Sequence, residues 1–241
     1  MFDVAPSELV DSRKQIHWAA QLLAATADAK LKKTRDDSHS NLCWDAATQC
    51  LKGRVGISLD VPKLTLRVGQ SSFSLNARTL EDAANWLRTE MDTTIKFREY
   101  KMPAHEVGQG GSFSHNATHQ AAIARWLTFG QTALSGNGEL RVWPHHFDLG
   151  FWKPGESAAQ SIGGGFSLGD NYYEQPYFYI NPYGIERPET LPDLKFGHWT
   201  SHWTGAVLTA EDLAKCDPPL IARQFVQNLM QISSELLQDN N

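Results

Sequence analysis

The residues of this chain that could do chemistry gather between Trp143 and Leu208. The stretch reads WPHHFDLGFW, then SIGGGFSLGDNYYEQPYFYINPY, then GHWTSHWTGAVL. His145 and His146 are adjacent, Asp148 follows two residues on, and His198 and His202 make a second pair. Imidazoles beside a carboxylate can move a proton or ligate a metal. Read as a strand, WPHHFDLGFW puts His145, Phe147, Leu149 and Phe151 on one face and His146, Asp148 and Gly150 on the other. His146 and Asp148 would then reach one substrate proton or one divalent cation, with His198 or His202 as a third metal ligand and an open position for water. The blander reading is a hydrogen-bonded His146–Asp148 pair that holds a turn. His145, His146 and Asp148 are the candidate catalytic residues. HEXXH is absent, so the His198/His202 pair implies no metalloprotease.

Aromatic residues surround these groups. Fourteen of the 25 Phe, Trp and Tyr fall between Trp143 and Trp203. Aromatic walls with a few polar groups between them are the makings of a small-molecule pocket. In PYFYINPY the alternation sends Tyr177, Tyr179 and Asn181 to one side, and Phe178 and Ile180 to the other. Trp143, Asp170, Tyr177, Tyr179 and Trp199 are therefore candidate ligand-binding residues. DSHSNLCWD adds Asp37, His39, Asn41, Trp44 and Asp45, a density of polar groups unusual for an ordinary loop, although turn capping by Asp and Asn also accounts for it. His105, in the PAHEVG loop, is open to the same two readings.

Other chemistries lack their signatures. SIGGGFSLGD has no Gly-Lys-Ser/Thr and does not fit GxGxxG. Its glycines suit a turn, or a backbone passing close to a ligand or another strand. No GxSxG elbow occurs, and Cys43, Cys50 and Cys216 form no CxxC pair. With a net charge of −5 and no basic cluster beyond Lys30–Lys33, nothing marks a nucleic-acid surface. The N-terminal residues carry no basic and apolar signal pattern, and no apolar run is long enough for a bilayer. The expectation is a cytoplasmic, soluble, non-membrane protein that binds a small molecule or is an enzyme with an aromatic, histidine-lined pocket. The alternative is a protein-interaction domain with an exposed Trp/Tyr surface. Oligomeric state is not legible.

The positioning elements follow from periodicity. Ile16, Ala19, Ala20, Leu23 and Ala27 predict a helix over 7–33, with Ser12 and Gln15 as a cap within it. Alternation predicts a hairpin through Leu64, Leu66 and Val68, across Gly69-Gln70, to Phe73 and Leu75. Thr79 and Asp82 mark a helix start, and 94–99 reads as a strand. Lys101–Ser114 is the candidate boundary between halves. Asn116 opens a helix to Leu134 that ends at SGNG, and strands are predicted at 139–143, 146–152, 177–181 and 203–208. Asp217-Pro218-Pro219 opens the last helix. RTLEDAANWL and LTAEDLAK suggest a pseudo-repeat of 7–100 and 115–238. The fold expected is α+β, a mainly antiparallel sheet flanked by helices, with two similar αβα halves forming a single domain over 1–241.

At WPHHFDLG, SLGD, PYFYINP and WTGAVL the chain resembles an uncharacterised, largely bacterial domain-of-unknown-function family, marked by Trp-Pro-His-His-Phe-Asp. DSHSNLCWD, RTLEDAANWL and the loop around His105 are similar to it too. The resemblance spans nearly the whole chain. Where the family pattern has a His-Thr-Glu-like segment, this chain has Thr200, Ser201 and His202. The resemblance implies a kinship and no particular reaction.

Overall fold

The computed structural model describes residues 3–215 and 217–238. Cys216 lies outside them. The first helix, α1, runs Val10–Lys30 and is entered through a 3-10 turn at Pro6–Leu9. Ser12 is therefore inside the helix and buried, not at a cap. Ile16, Ala19, Ala20, Leu23 and Ala27 have no exposed surface, as their spacing requires. Five short strands follow: β1 (Cys43–Asp45), β2 (Cys50–Lys52), β3 (Ile57–Asp60), β4 (Thr65–Val68) and β5 (Ser71–Ser74). They form an antiparallel meander in chain order. Its register lines up Trp44, Leu51, Leu59, Leu66 and Phe73 across all five strands. That row gives one side of the sheet an apolar face, and α1 packs at β3.

Helix α2 (Leu80–Met91) starts at a true capping box. The Thr79 hydroxyl accepts from the Asp82 N–H, and the Asp82 carboxylate accepts from the Thr79 N–H. Residues 94–99 do not form a strand and pair with no other strand among the described residues. Helix α3 (Ala117–Leu134) begins where the Asn116 side chain accepts from the His119 N–H, and it ends at a turn in which Gly136 has positive φ.

The later strands are β6 (Arg141–Trp143), β7 (Asp148–Pro154), β8 (Ser161–Ser167), β9 (Tyr177–Tyr183), β10 (His198–Trp199) and β11 (Ala206–Thr209). The second sheet has the order β10-β11-β9-β8-β7-β6. A short helix α4 (Ala210–Leu213) repeats the capping box with Thr209 and Asp212. Helix α5 (Pro218–Gln238) then packs on β9 through a buried stripe that includes Ile221, Phe225, Leu229 and Ile232. The fold is α+β with two similar halves, each running helix, antiparallel sheet, Thr-x-x-Asp-capped helix.

The chain divides into two compact units. The first takes the residues up to Thr128 together with Arg141–Asp148, and the second takes Phe129–Leu140 together with the chain from Leu149 on. The division does not fall at Lys101–Ser114, because that segment is tied to α1. Trp18 Nε1 donates to the Pro103 carbonyl at 3.1 Å, the Ser114 N–H donates to Gln15 Oε1 at 2.7 Å, and His105 Nε2 lies 2.9 Å from Asp11 Oδ1.

In the second unit the glycine-rich run SIGGGFS is strand β8, buried along its length, not a loop. Its glycines clear space for neighbours. A Cβ on Gly163 would stand 2.6 Å from the Tyr183 ring, and one on Gly164 would stand 2.4 Å from Ile180 Cδ1. They let the strand pass close beneath large side chains.

Candidate functional site

WPHH is a corner, not a strand. Pro144–Phe147 form a turn between β6 and β7, with the Phe147 N–H donating to the Trp143 carbonyl at 2.7 Å and Phe147 at a φ of 55°. Proline at the start of the turn and a left-handed residue at its end stop the alternation that would have split His145 from His146. The two imidazoles instead lie side by side, ring centroids 4.2 Å apart. His146 is exposed, while Asp148 is buried at the start of β7, so the predicted shared face does not form.

Helix α1 supports this turn from the core of the first unit. The Pro144 carbonyl accepts from Gln21 Nε2 at 2.6 Å and lies 2.8 Å from His17 Nε2, and the His17 ring stacks on Phe147 at 5.1 Å. Above the turn, His145 stacks on Tyr100 at 5.1 Å and meets the Trp143 ring edge-on at 6.1 Å.

Tyr100 connects the histidine turn to an ion network. Arg98 Nη1 donates to the Tyr100 hydroxyl at 2.9 Å and to Asp37 Oδ1 at 2.6 Å, and Arg98 Nε and Nη2 make a forked pair with the Asp28 carboxylate. Asp28 also faces His39 Nε2 at 2.7 Å. The Thr34 N–H points at His39 Nδ1, 3.2 Å away, which places the ring proton on Nε2, toward Asp28. Arg98 Nη2 lies 2.9 Å from that same Nε2, donor beside donor, because both converge on Asp28 Oδ1 and do not bond to each other. The partners of the guanidinium are Asp28, Asp37 and Tyr100, and Asp28 beside it holds its pKa above the ordinary arginine value. Asp37, His39, Trp143, His145 and His146, from two distant segments, come together here. Asp28, Arg98 and Tyr100 were not singled out from the sequence.

Burial acts alike on two histidines of this region. Burial pushes His145 down to about 4, with neighbouring His146 and Arg98 opposing its charge and Asp37 favouring it. His17 is also pushed down to about 4, chiefly by burial. Both rings are neutral at physiological pH. A histidine whose folded pKa is depressed binds its proton more readily in the unfolded chain. Stability from these sites is therefore complete above about pH 6.5 and is lost as pH falls toward about 4. Between pH 7 and 4.5 the chain is expected to lose about 2 kcal/mol more stability than a His17→Gln variant, by urea denaturation. Equal losses would contradict the assignment.

The second unit holds a separate polar–aromatic cluster. The Tyr177 hydroxyl donates to Asp170 Oδ2 at 2.6 Å, while Asp170 Oδ1 accepts from the Tyr172 and Tyr173 N–H groups. The Tyr173 hydroxyl donates to Thr200 Oγ1 at 2.9 Å and lies 3.4 Å from His198 Nε2. Tyr172 packs on His202 at 4.8 Å, and the Tyr177 and Tyr179 rings are 6.1 Å apart. Trp199 Nε1 donates to the Pro192 carbonyl at 2.8 Å. Asp170 thus shapes the loop before β9, and Tyr173 joins that loop to β10.

Several expected site residues do other work. Trp44 is core, 1% exposed, with Nε1 donating to Thr128 Oγ1. Asp45 caps the β1–β2 turn through the Ala47 and Thr48 N–H groups and pairs with Lys52. His105 caps a short 3-10 turn by accepting from the Val107 N–H. Among the described residues, no three or more His, Cys, Asp and Glu are placed to hold a metal ion. The set His146, Asp148 and His198 or His202 is thus not assembled as a metal centre. His146 sits on an exposed turn and Asp148 in a buried strand, which removes the shared face on which the ligand set rested.

No family model matches the chain, no curated protein matches it, and no solved structure matches it. No helix among the described residues is long and apolar enough to cross a membrane.

Proposed function

We propose that the chain is a cytoplasmic small-molecule-binding protein or enzyme, akin to the family its Trp-Pro-His-His-Phe-Asp motif resembles, whose ligand sits against the His145–His146 turn of the first unit. One observation carries this reading. A neutral imidazole is held between the Tyr100 and Trp143 rings, beside an exposed second imidazole, on a turn fixed from below by Gln21 and His17. Aromatic surfaces flank a planar group well, and a neutral His145 can accept a proton or a hydrogen bond at pH 7. The Asp28–Arg98–Asp37–His39 network braces Tyr100 and so fixes the site's geometry, the supporting role such networks play behind a binding group.

A fragment titration followed through the imidazole resonances of His145 and His146 tests the proposal. Saturable shifts at both rings, abolished in His145→Ala with the fold retained, support it. Binding that leaves both rings unmoved would reject it. The rival reading, docking of a protein partner, leans on Trp152, Tyr172 and Tyr183 of the second unit, which are 60%, 58% and 49% exposed. A partner footprint on those three rings, with no ligand response at His145, would favour it.

A further inference from the structure

The sheet of the second unit has two unlike faces. Phe166, Phe178 and Ile180 have no exposed surface and make one of them core. Gly164 is closed on that side from both neighbouring strands, since a Cβ there would stand 2.4 Å from Ile180 Cδ1 and 2.7 Å from Phe151 Cζ. Trp152, the next residue on β7, therefore points to the opposite face, where it is exposed. Gly163 and Gly165 lie on that face too, paired with Asn181 and Tyr179 of β9. Tyrosines of β9 lean across them. A Cβ on Gly163 would meet the Tyr183 ring, and one on Gly165 would stand 2.6 Å from the Tyr179 hydroxyl. The glycine-rich strand thus lets aromatic rings lie over the sheet instead of standing away from it.

Polar ties hold these rings in place. The buried Asn181 amide donates to the Tyr183 hydroxyl at 3.2 Å and accepts from Trp203 Nε1 at 2.6 Å, so it fixes a ring on either side of itself. Trp203 meets the Tyr172 ring at 5.5 Å, and Tyr172 lies 4.8 Å from the His202 ring. Trp152, Tyr172, Tyr183 and His202 are all exposed. Rings already fixed on a sheet lose little freedom when a ligand settles on them. The Tyr183 hydroxyl accepts from Asn181 and keeps its own proton to donate.

Charge and polarity narrow the ligand class. Nucleic-acid bases also stack on such rings, but their phosphates call for a basic groove. The chain carries a net charge of −5, and Arg187 Nη1 is held by the Thr200 and Trp203 carbonyls at 2.7 and 2.8 Å. A protein interface buries its aromatic residues in an apolar core. Here hydroxyl and imidazole groups stand among the rings instead. A pyranose ring matches that mixture, with an apolar C–H face to stack and a rim of hydroxyls to hydrogen-bond. We propose that this face of the second unit is a binding platform for a neutral sugar chain, which stacks on Trp152 and Tyr183 and hydrogen-bonds to the Tyr183 hydroxyl and the His202 imidazole. It is a different site from the His145 turn and does not rest on the reading given to that turn.

Titration of the full chain with cellohexaose and with maltohexaose tests this, followed by NMR at the Trp152 indole N–H and the Tyr183 ring. Saturable shifts of both groups with at least one of the two sugars are the expected result, with the His145 ring unmoved. Trp152→Ala and Tyr183→Ala should each weaken that binding about tenfold or more, and Trp152→Tyr, which keeps a ring, should restore most of it. Both side chains are exposed, so the variants should keep the fold, and the titration of the unaltered chain stands in any case. No shift at either ring with tens of millimolar of both sugars would overturn the proposal. So would shifts at these rings with single-stranded oligothymidylate and with neither sugar. Self-association of the chain that Trp152→Ala abolishes, without a response to sugar, would make the face an interface between copies and overturn it as well.

Discussion

Replacing Arg98 with Met is expected to destabilise the first unit by about 3 kcal/mol or more. Methionine keeps much of the side-chain volume and removes the charge. The Asp28 side chain is only 10% exposed, and Arg98 meets both of its oxygens. Without the guanidinium that carboxylate is left with the His39 N–H, and Asp37 and the Tyr100 hydroxyl lose the partner that joins them. Leaving one member of a buried pair uncompensated costs more than the intact pair contributes, because the desolvated charge remains. Restoring neutrality by combining Arg98→Met with Asp28→Asn should recover a substantial part of the loss. Urea denaturation of the single and double variants measures both quantities. An Arg98→Met loss below about 1 kcal/mol, the range of exposed ion pairs, would contradict the buried-network account.

The second large effect concerns β8. Gly165→Val is expected to cost about 3 kcal/mol, since the strand has no room for side-chain volume there. A Cβ at Gly165 would stand 2.7 Å from the Leu149 carbonyl oxygen and 2.6 Å from the Tyr179 hydroxyl. The hydroxyl could swing aside; the backbone oxygen of the neighbouring strand cannot. Valine normally favours strands, so propensity alone predicts stabilisation, and the sign of the change separates the two effects. A variant as stable as the parent in urea would show that β8 lies farther from β7 than described.

What the sequence revealed depended on whether the information was local. The Thr-x-x-Asp caps at Thr79 and Thr209, the α1 and α5 stripes and the hairpin through Gly69 rest on contacts within a few residues, and spacing shows them. The glycine-rich β8 did not look like a strand, because its burial comes from neighbouring strands and not from its own side chains. WPHHFD misled in the opposite way. Alternation extended through it predicted split faces, while Pro144 and the left-handed Phe147 turn the chain and bring the histidines together. The predicted strand at 94–99 hid Arg98, whose partner Asp28 is 70 residues earlier. A pairing over that distance leaves no periodic trace. The aromatic and histidine concentration did mark the right part of the chain, though Asp37 and His39 joined His145 only through Arg98 and Tyr100.

The central claim is that the fold presents His145 as a neutral imidazole held in an aromatic setting beside a closed ion network. An NMR pH titration of the His145 ring protons in the intact chain tests this most directly. A midpoint near 4, moving toward the ordinary histidine value of 6.5 when urea unfolds the chain, is the predicted result. A folded-state midpoint at or above 6.5 would contradict the claim, because it would place the ring in water or beside an uncompensated carboxylate.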